Sequence, residues 1–144
     1  TGAISSQSTL NGARDFLVEN GASKDLRIER ALGVPEAGFM ISHWHMADLP
    51  EGTEGYQGRL EPNFEAKAMT YEDEDENAAR EVGSHRPGER RLKSPSCVQS
   101  YYKTPEASKE QFTTDGWYKT GDICFFLGDK LYLVDTKKVW SSPA

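Results

Sequence analysis

The sequence predicts an α+β fold: a small, distorted antiparallel β-barrel or sheet with peripheral helices. Three observations carry this. Short apolar or alternating runs are separated by turn residues, only two segments have helical character, and the last long run folds back on itself about Gly128-Asp129. Many short strands with few helices favour a barrel or open antiparallel sheet over a doubly wound one. The chain has 144 residues and 36% hydrophobic content, which suits one domain with one core.

Each element has a local reason. Ser5 to Asn20 reads as a helix: serines offer caps, Leu10, Ala13, Phe16 and Leu17 form an apolar stripe, and Gly21 ends it. "LRIERALG", Leu26 to Gly33, and "GFMISHWHM", Gly38 to Met46, read as strands. "GYQGRL" and "FEAKAM" are two more, with Pro62-Asn63 turning between them. In the second, Phe64, Ala66 and Ala68 alternate with Glu65 and Lys67. The acidic run Tyr71 to Glu81 repels itself and reads as a solvated loop that "GSHRPGE" continues. It lacks the glycine and terminal glutamate of a calcium loop. "RRLKSP" is a short strand with its polar side chains outward. Thr104 to Phe112 is a short helix, with Thr104 as cap, Pro105 in the first turn and Glu106 toward the positive end of the dipole. "GDICFFLGDKLYLVDTKK" is a hairpin on a two-residue turn that begins with glycine.

Composition excludes several classes of function. With 28% charged residues and a net charge of -6, the chain is a poor fit for nucleic acid or anionic membranes. No apolar run approaches the roughly 20 residues of a membrane span. No signal peptide is visible, and the start at Thr1 rather than Met leaves open a removed segment. Cys97 and Cys124 match no metal spacing and read as free buried thiols of a reducing, cytoplasmic compartment. No metal site is expected. "HWH" puts His43 and His45 on one side of a strand, as a metal pair, an acid/base pair, or two solvent-facing rings beside a buried Trp44.

The run "YYKTPEASKEQFTTDGWYKTGDICFFLGDKLYLVDTKK" closely resembles a segment of the adenylate-forming superfamily: acyl- and aryl-CoA ligases, firefly luciferase and peptide-synthetase adenylation domains. "RPGERRLKSPSCVQSYYKTPEA" resembles the family's GE-L-x-x-x-x-P strand and loop, "EGTEGYQGRLEPNFEAKAM" the opening of its small barrel subdomain, "RALGVPEAGF" its Tyr-Gly-x-Thr-Glu motif, and "TGAISSQ" the Gly-Ala segment beside the adenine. The likeness runs from Thr1 to about Lys138, which stands at the family's hinge. It implies that residues 1–144 are a single domain, the C-terminal part of the family's large N-terminal domain, cut at that hinge.

What the resemblance implies is mixed. The family joins a carboxylic acid to ATP as an acyl-adenylate and passes the acyl group to a thiol. Asp122 stands at its ribose-binding aspartate, Gly2 and Ala3 flank its adenine, Gly33 lies in its nucleotide motif, and Glu36 stands at its magnesium-associated glutamate. Leu32 replaces the stacking tyrosine, Pro35 the phosphate-contacting threonine and Thr136 an arginine. Phe39 would fill part of the acid pocket, with Trp44 beside it as a second substrate residue. No phosphate loop of the TSGTTGxPK kind is present.

Three readings follow. One is a degenerate relative that binds a small acyl, aryl or polyketide-like molecule and acts on it, if at all, by ATP-independent isomerisation or cyclisation, with Glu36, His43, His45 and Asp122 as candidate catalytic groups. No cofactor is expected there. The second is a fragment of a working ligase, using ATP and Mg²⁺. The third is a noncatalytic interaction module. An exposed apolar face, left by absent subdomains, is expected to pair two copies as a homodimer.

Overall fold

The computed structural model describes residues 7–45, 55–71 and 78–136. Helix α1 (Gln7–Glu19) leads into β1 (Glu29–Val34), a 3₁₀ turn (Pro35–Ala37), β2 (Phe39–His45), β3 (Tyr56–Leu60), β4 (Glu65–Met69), β5 (Gly88–Lys93), α2 (Pro105–Gln111), β6 (Tyr118–Leu127) and β7 (Lys130–Thr136). The strands form one antiparallel sheet in the order β1-β2-β3-β7-β6-β5-β4. No described helix is long and apolar enough to cross a membrane.

The sheet is open, which corrects the barrel expectation. Closure would need β1 to pair with β4. The outer edge of β4 is instead occupied by residues 80–82: the Thr70 N–H donates to Arg80 O at 2.8 Å and the Val82 N–H to Ala68 O at 2.9 Å. Those bonds satisfy the edge that a barrel would have needed.

The sheet curls, and its inner face holds the main core, including Leu32, Val34, Ile41, Ala68, Leu92, Cys124 and Leu131. The opposite face carries a second cluster, in which Trp44, Tyr56 and Tyr132 pack with Phe125 and with Leu10 of α1. Phe125 and Tyr132, cross-strand neighbours, stack at 4.8 Å. The apolar stripe of α1 is only partly used: Leu10 reaches the sheet, while Phe16 and Leu17 are exposed. Gly21 ends the helix as expected, with φ 97° and the paired bonds Gly21 N–H to Val18 O and Ala22 N–H to Leu17 O. Thr104 makes no side-chain cap on α2. The Ser108 hydroxyl, one turn on, donates to Thr104 O and accepts from the Tyr101 N–H.

Strand β5 departs furthest from expectation. It begins at Gly88, not Arg90. Its polar side chains are not exposed: Glu89, Arg90 and Arg91 are all buried, Arg90 completely. The hairpin is as expected, with Leu127 opposite Lys130 and Gly128 at φ 59°. The acidic residues 72–77 lie outside the described residues.

Gly58 is a position where only glycine serves. It has φ 89°, and an added Cβ would stand 2.1 Å from His43 O. It lies within the register shift between Tyr56 and Arg59. Gly58→Ala is expected to destabilise the protein by more than about 2 kcal/mol, from backbone strain plus the clash with β2. An unchanged urea midpoint would refute this.

Candidate functional site

The TGD segment is a bulge. Glu89 pairs with Ile123 and Arg91 with Lys119, so Arg90 alone on β5 faces Thr120, Gly121 and Asp122 on β6. Gly121 supplies the left-handed backbone at φ 70°. The bulge turns Asp122 inward onto Arg90. Arg90 Nη2 donates to Asp122 Oδ2 at 2.5 Å, and both side chains are 0% exposed. Thr120 completes the arrangement: its hydroxyl donates to Arg90 O at 2.9 Å and accepts from the Asp122 N–H at 3.2 Å. Arg90 Nη1 is buried with no hydrogen-bond partner among the described residues. Burial lowers the Arg90 guanidinium from its ordinary value, and the Asp122 charge opposes that shift.

Glu36 forms a second centre. It sits on the 3₁₀ turn, which Pro35 starts and Gly38 closes with φ 78°. The segment after β5 clamps this turn. The Val98 N–H donates to Glu36 O at 2.8 Å, the Ser96 hydroxyl to Ala37 O at 3.0 Å, and the Tyr101 hydroxyl to Glu36 Oε1 at 2.9 Å. Phe112 bridges the two tyrosines, 5.4 Å from Tyr101 and 5.3 Å from Tyr118 between ring centroids. Burial first, and the Glu36 charge second, raise the Tyr118 phenol well above its ordinary value. The same burial, then the Glu36 hydrogen bond, raises Tyr101. Both phenols are therefore held neutral, as donors. Tyr118 lies within electrostatic reach of Arg90 as well as Glu36.

The other predicted residues do not join these centres. His43 is exposed, and its Nδ1 meets Glu61 Oε1 at 2.5 Å. Trp44 is buried in the outer aromatic cluster, with Nε1 lacking a partner among the described residues. His45, Phe39 and Thr136 have described backbones in β2 and β7, but their side chains fall outside the description, and Gly2 and Ala3 lie wholly outside it. Gly33 marks a bulge next to Leu32. Leu32 is 8% exposed within the inner core and offers no face to a base. No group of three His, Cys, Asp or Glu side chains among the described residues is placed to hold a metal ion. Cys97 is half-buried and Cys124 buried, both free.

Arg90, Tyr101, Tyr118 and Thr120 were missed by sequence reasoning. Arg90 had a signal: it stands at the leucine of the GE-L-x-x-x-x-P pattern, two residues before Leu92 on the inner face.

An open antiparallel sheet carrying a TGD bulge, preceded by a 3₁₀ turn with a glutamate, defines a segment of an adenylate-forming fold. No protein-family model matches the chain. It is 51% identical over 59 residues to a putative acyl-coenzyme A synthetase of Emericella nidulans, covering 41% of this chain and 11% of that protein. It is 35% identical over 85 residues to 4-coumarate–CoA ligase-like 2 of Arabidopsis thaliana, covering 58% and 14%. Its fold matches O-succinylbenzoate coenzyme A synthetase of Bacillus subtilis in complex with AMP, with a TM-score of 0.70 at 22% identity, over 95% of this chain and 25% of that one. The chain is thus similar in sequence to these ligases and in fold to this synthetase, and spans a small part of the length of these relatives.

The nucleotide those relatives imply does not fit the residues described. A ribose needs an exposed carboxylate, whereas Asp122 is sealed by this chain's own atoms and paired with Arg90. Glu36 spends one oxygen on Tyr101.

Two outcomes follow. Removing one partner of the buried pair, as in Asp122→Asn or Arg90→Gln, is expected to cost about 3–5 kcal/mol in chemical denaturation. Wild-type stability in both would contradict the pair's importance. Alkaline stability is set in part by Cys124, whose thiol burial pushes up from 9.0 to about 12. The unfolded thiol ionises first, so this contribution is whole below pH 9 and is lost as pH rises toward 12. Tyr118 acts in the same direction from 10.0 upward. Urea midpoints measured from neutral to alkaline pH should fall across that window, less steeply in Cys124→Ala. Equal slopes would contradict the assignment.

Proposed function

We propose that this chain uses the adenylate-forming scaffold to bind a small acyl, aryl or polyketide-like molecule, without adenylating it at Asp122. One observation carries the reading: Asp122 is fully buried and engaged by Arg90, a residue that stands where the family pattern has leucine. Phosphoryl transfer depends on positioning and charge stabilisation. Leu32 in the core and Pro35 without an N–H weaken both.

Any chemistry is assigned to Glu36. Its carboxylate is half-buried, fixed by the 94–101 segment and flanked by two neutral phenols. A carboxylate with one oxygen held by the Tyr101 hydroxyl and the other able to take a proton from a substrate carbon suits enolisation, and so isomerisation or cyclisation. His43, exposed and already bonded to Glu61, lies apart from this centre.

A second reading, part of a working ATP-dependent acid–CoA ligase, is favoured by the 51% identity to the putative synthetase. Calorimetry with adenosine and AMP separates the two. The first reading expects no saturable heat from either. Micromolar AMP binding that disappears in Asp122→Asn would overturn it and leave the ligase reading. Self-association is assigned to α1, where Phe16 and Leu17 stand exposed. Light scattering is expected to show a dimer that Phe16→Glu dissociates, and a wild-type monomer at high concentration would remove it.

A further inference from the structure

Two asparagines in the chain precede glycine: Asn11 before Gly12 and Asn20 before Gly21. An Asn-Gly step is chemically weak. The glycine nitrogen has no Cβ crowding it, so it can reach the carbonyl carbon of the preceding asparagine side chain. As sequence the two steps are equal, and the structure separates them. Asn11 and Gly12 lie inside α1, whereas Asn20 and Gly21 stand just beyond its last residue, Glu19.

Inside a helix an asparagine side chain leans toward the N-terminus, away from the nitrogen of the residue that follows it. Asn11 is kept in that posture, because Leu10 beside it packs on the Trp44, Tyr56 and Tyr132 cluster. Asn20 is held back in a similar way, but by hydrogen bonds at a helix end. Its Nδ2 donates to Phe16 O at 2.8 Å. The Asn20 and Gly21 N–H groups donate to Phe16 O and Val18 O, each at 3.1 Å. Little else holds this turn. Phe16, Leu17, Glu19 and Asn20 are all exposed, and Gly21 leaves the helix at φ 97°. Terminal turns open at almost no cost, whereas a packed interior turn opens at a larger one.

We propose that Asn20 is a deamidation site, selected over Asn11 by its place at the end of α1. When the last turn opens, the Gly21 nitrogen attacks Asn20 Cγ and gives up its proton. The Cγ–Nδ2 bond breaks and ammonia leaves, which closes a succinimide ring. Water then opens the ring at one of its carbonyls to give aspartate or isoaspartate. No oxidant or other reactant is needed. The product cannot restore the helix end. A carboxylate cannot donate to Phe16 O, and its charge falls at the negative end of the helix dipole. The modification therefore favours the same opening that allowed it. None of this depends on the chemistry assigned to Glu36 or Asp122.

The test is ageing of the whole chain in mildly alkaline buffer, folded and in urea, with both sites followed by proteolysis and mass spectrometry. In the folded protein Asn20 is expected to convert at least about tenfold faster than Asn11, since the terminal turn opens far more often. In urea the two sites should convert at similar rates. Equal rates in the folded protein, or faster conversion at Asn11, would overturn the proposal. So would an unchanged Asn20 in the folded protein over a period that converts both sites in urea. Asn20→Gln, whose longer side chain closes a less favoured ring, is expected to lose the mass gain at position 20, and a gain that persists at the wild-type rate would also overturn it. The consequence is read in Asn20→Asp. Amide exchange at Ala22, whose N–H donates to Leu17 O at 2.9 Å, is expected to quicken about two- to fivefold. Unchanged exchange would overturn the opening of the turn.

Discussion

The buried pair of Arg90 and Asp122 is the constraint around which the rest of the site is arranged. A guanidinium and a carboxylate, both without solvent exposure, can persist in an apolar core only by neutralising each other at close range. To bring them together β6 must insert two more residues than β5 across the same interval, which is the TGD bulge. That bulge places Gly121 in left-handed backbone and lets Thr120 bind the backbone of both partners. The same pair engages the Asp122 carboxylate with a guanidinium, so one interaction accompanies the local register and occupies this acid.

Tyr118 links this pair to the second centre. It starts β6, packs in the inner core, and lies within electrostatic reach of both the Arg90 charge and the Glu36 carboxylate. Glu36 is held differently, by a loop. Three hydrogen bonds from Ser96, Val98 and Tyr101 lock the 3₁₀ turn from outside the sheet. Of these two acids, Asp122 is sealed and Glu36 is half-buried and held by the loop.

Much of the fold was legible in the sequence. The strands of the hairpin, the glycine that ends α1 and the turn at Gly128-Asp129 follow from local chemistry, and they occur where that chemistry puts them. Sheet closure was not legible, because it depends on which segment takes the outer edge of β4, and residues 80–82 sit in a polar stretch that reads as loop. Strand β5 was misread for a related reason. "GERRLK" looks like an exposed strand, since charged residues are seldom buried without a partner. The partner of Arg90 lies 32 positions away, beyond the reach of any local pattern.

The sequence by itself determined ancestry and the order of elements, because motifs and turn residues act over a few neighbours. The tertiary structure decided the state of Asp122. Whether a carboxylate meets a ligand or a guanidinium depends on register across two strands, and that register is set by packing over the whole sheet.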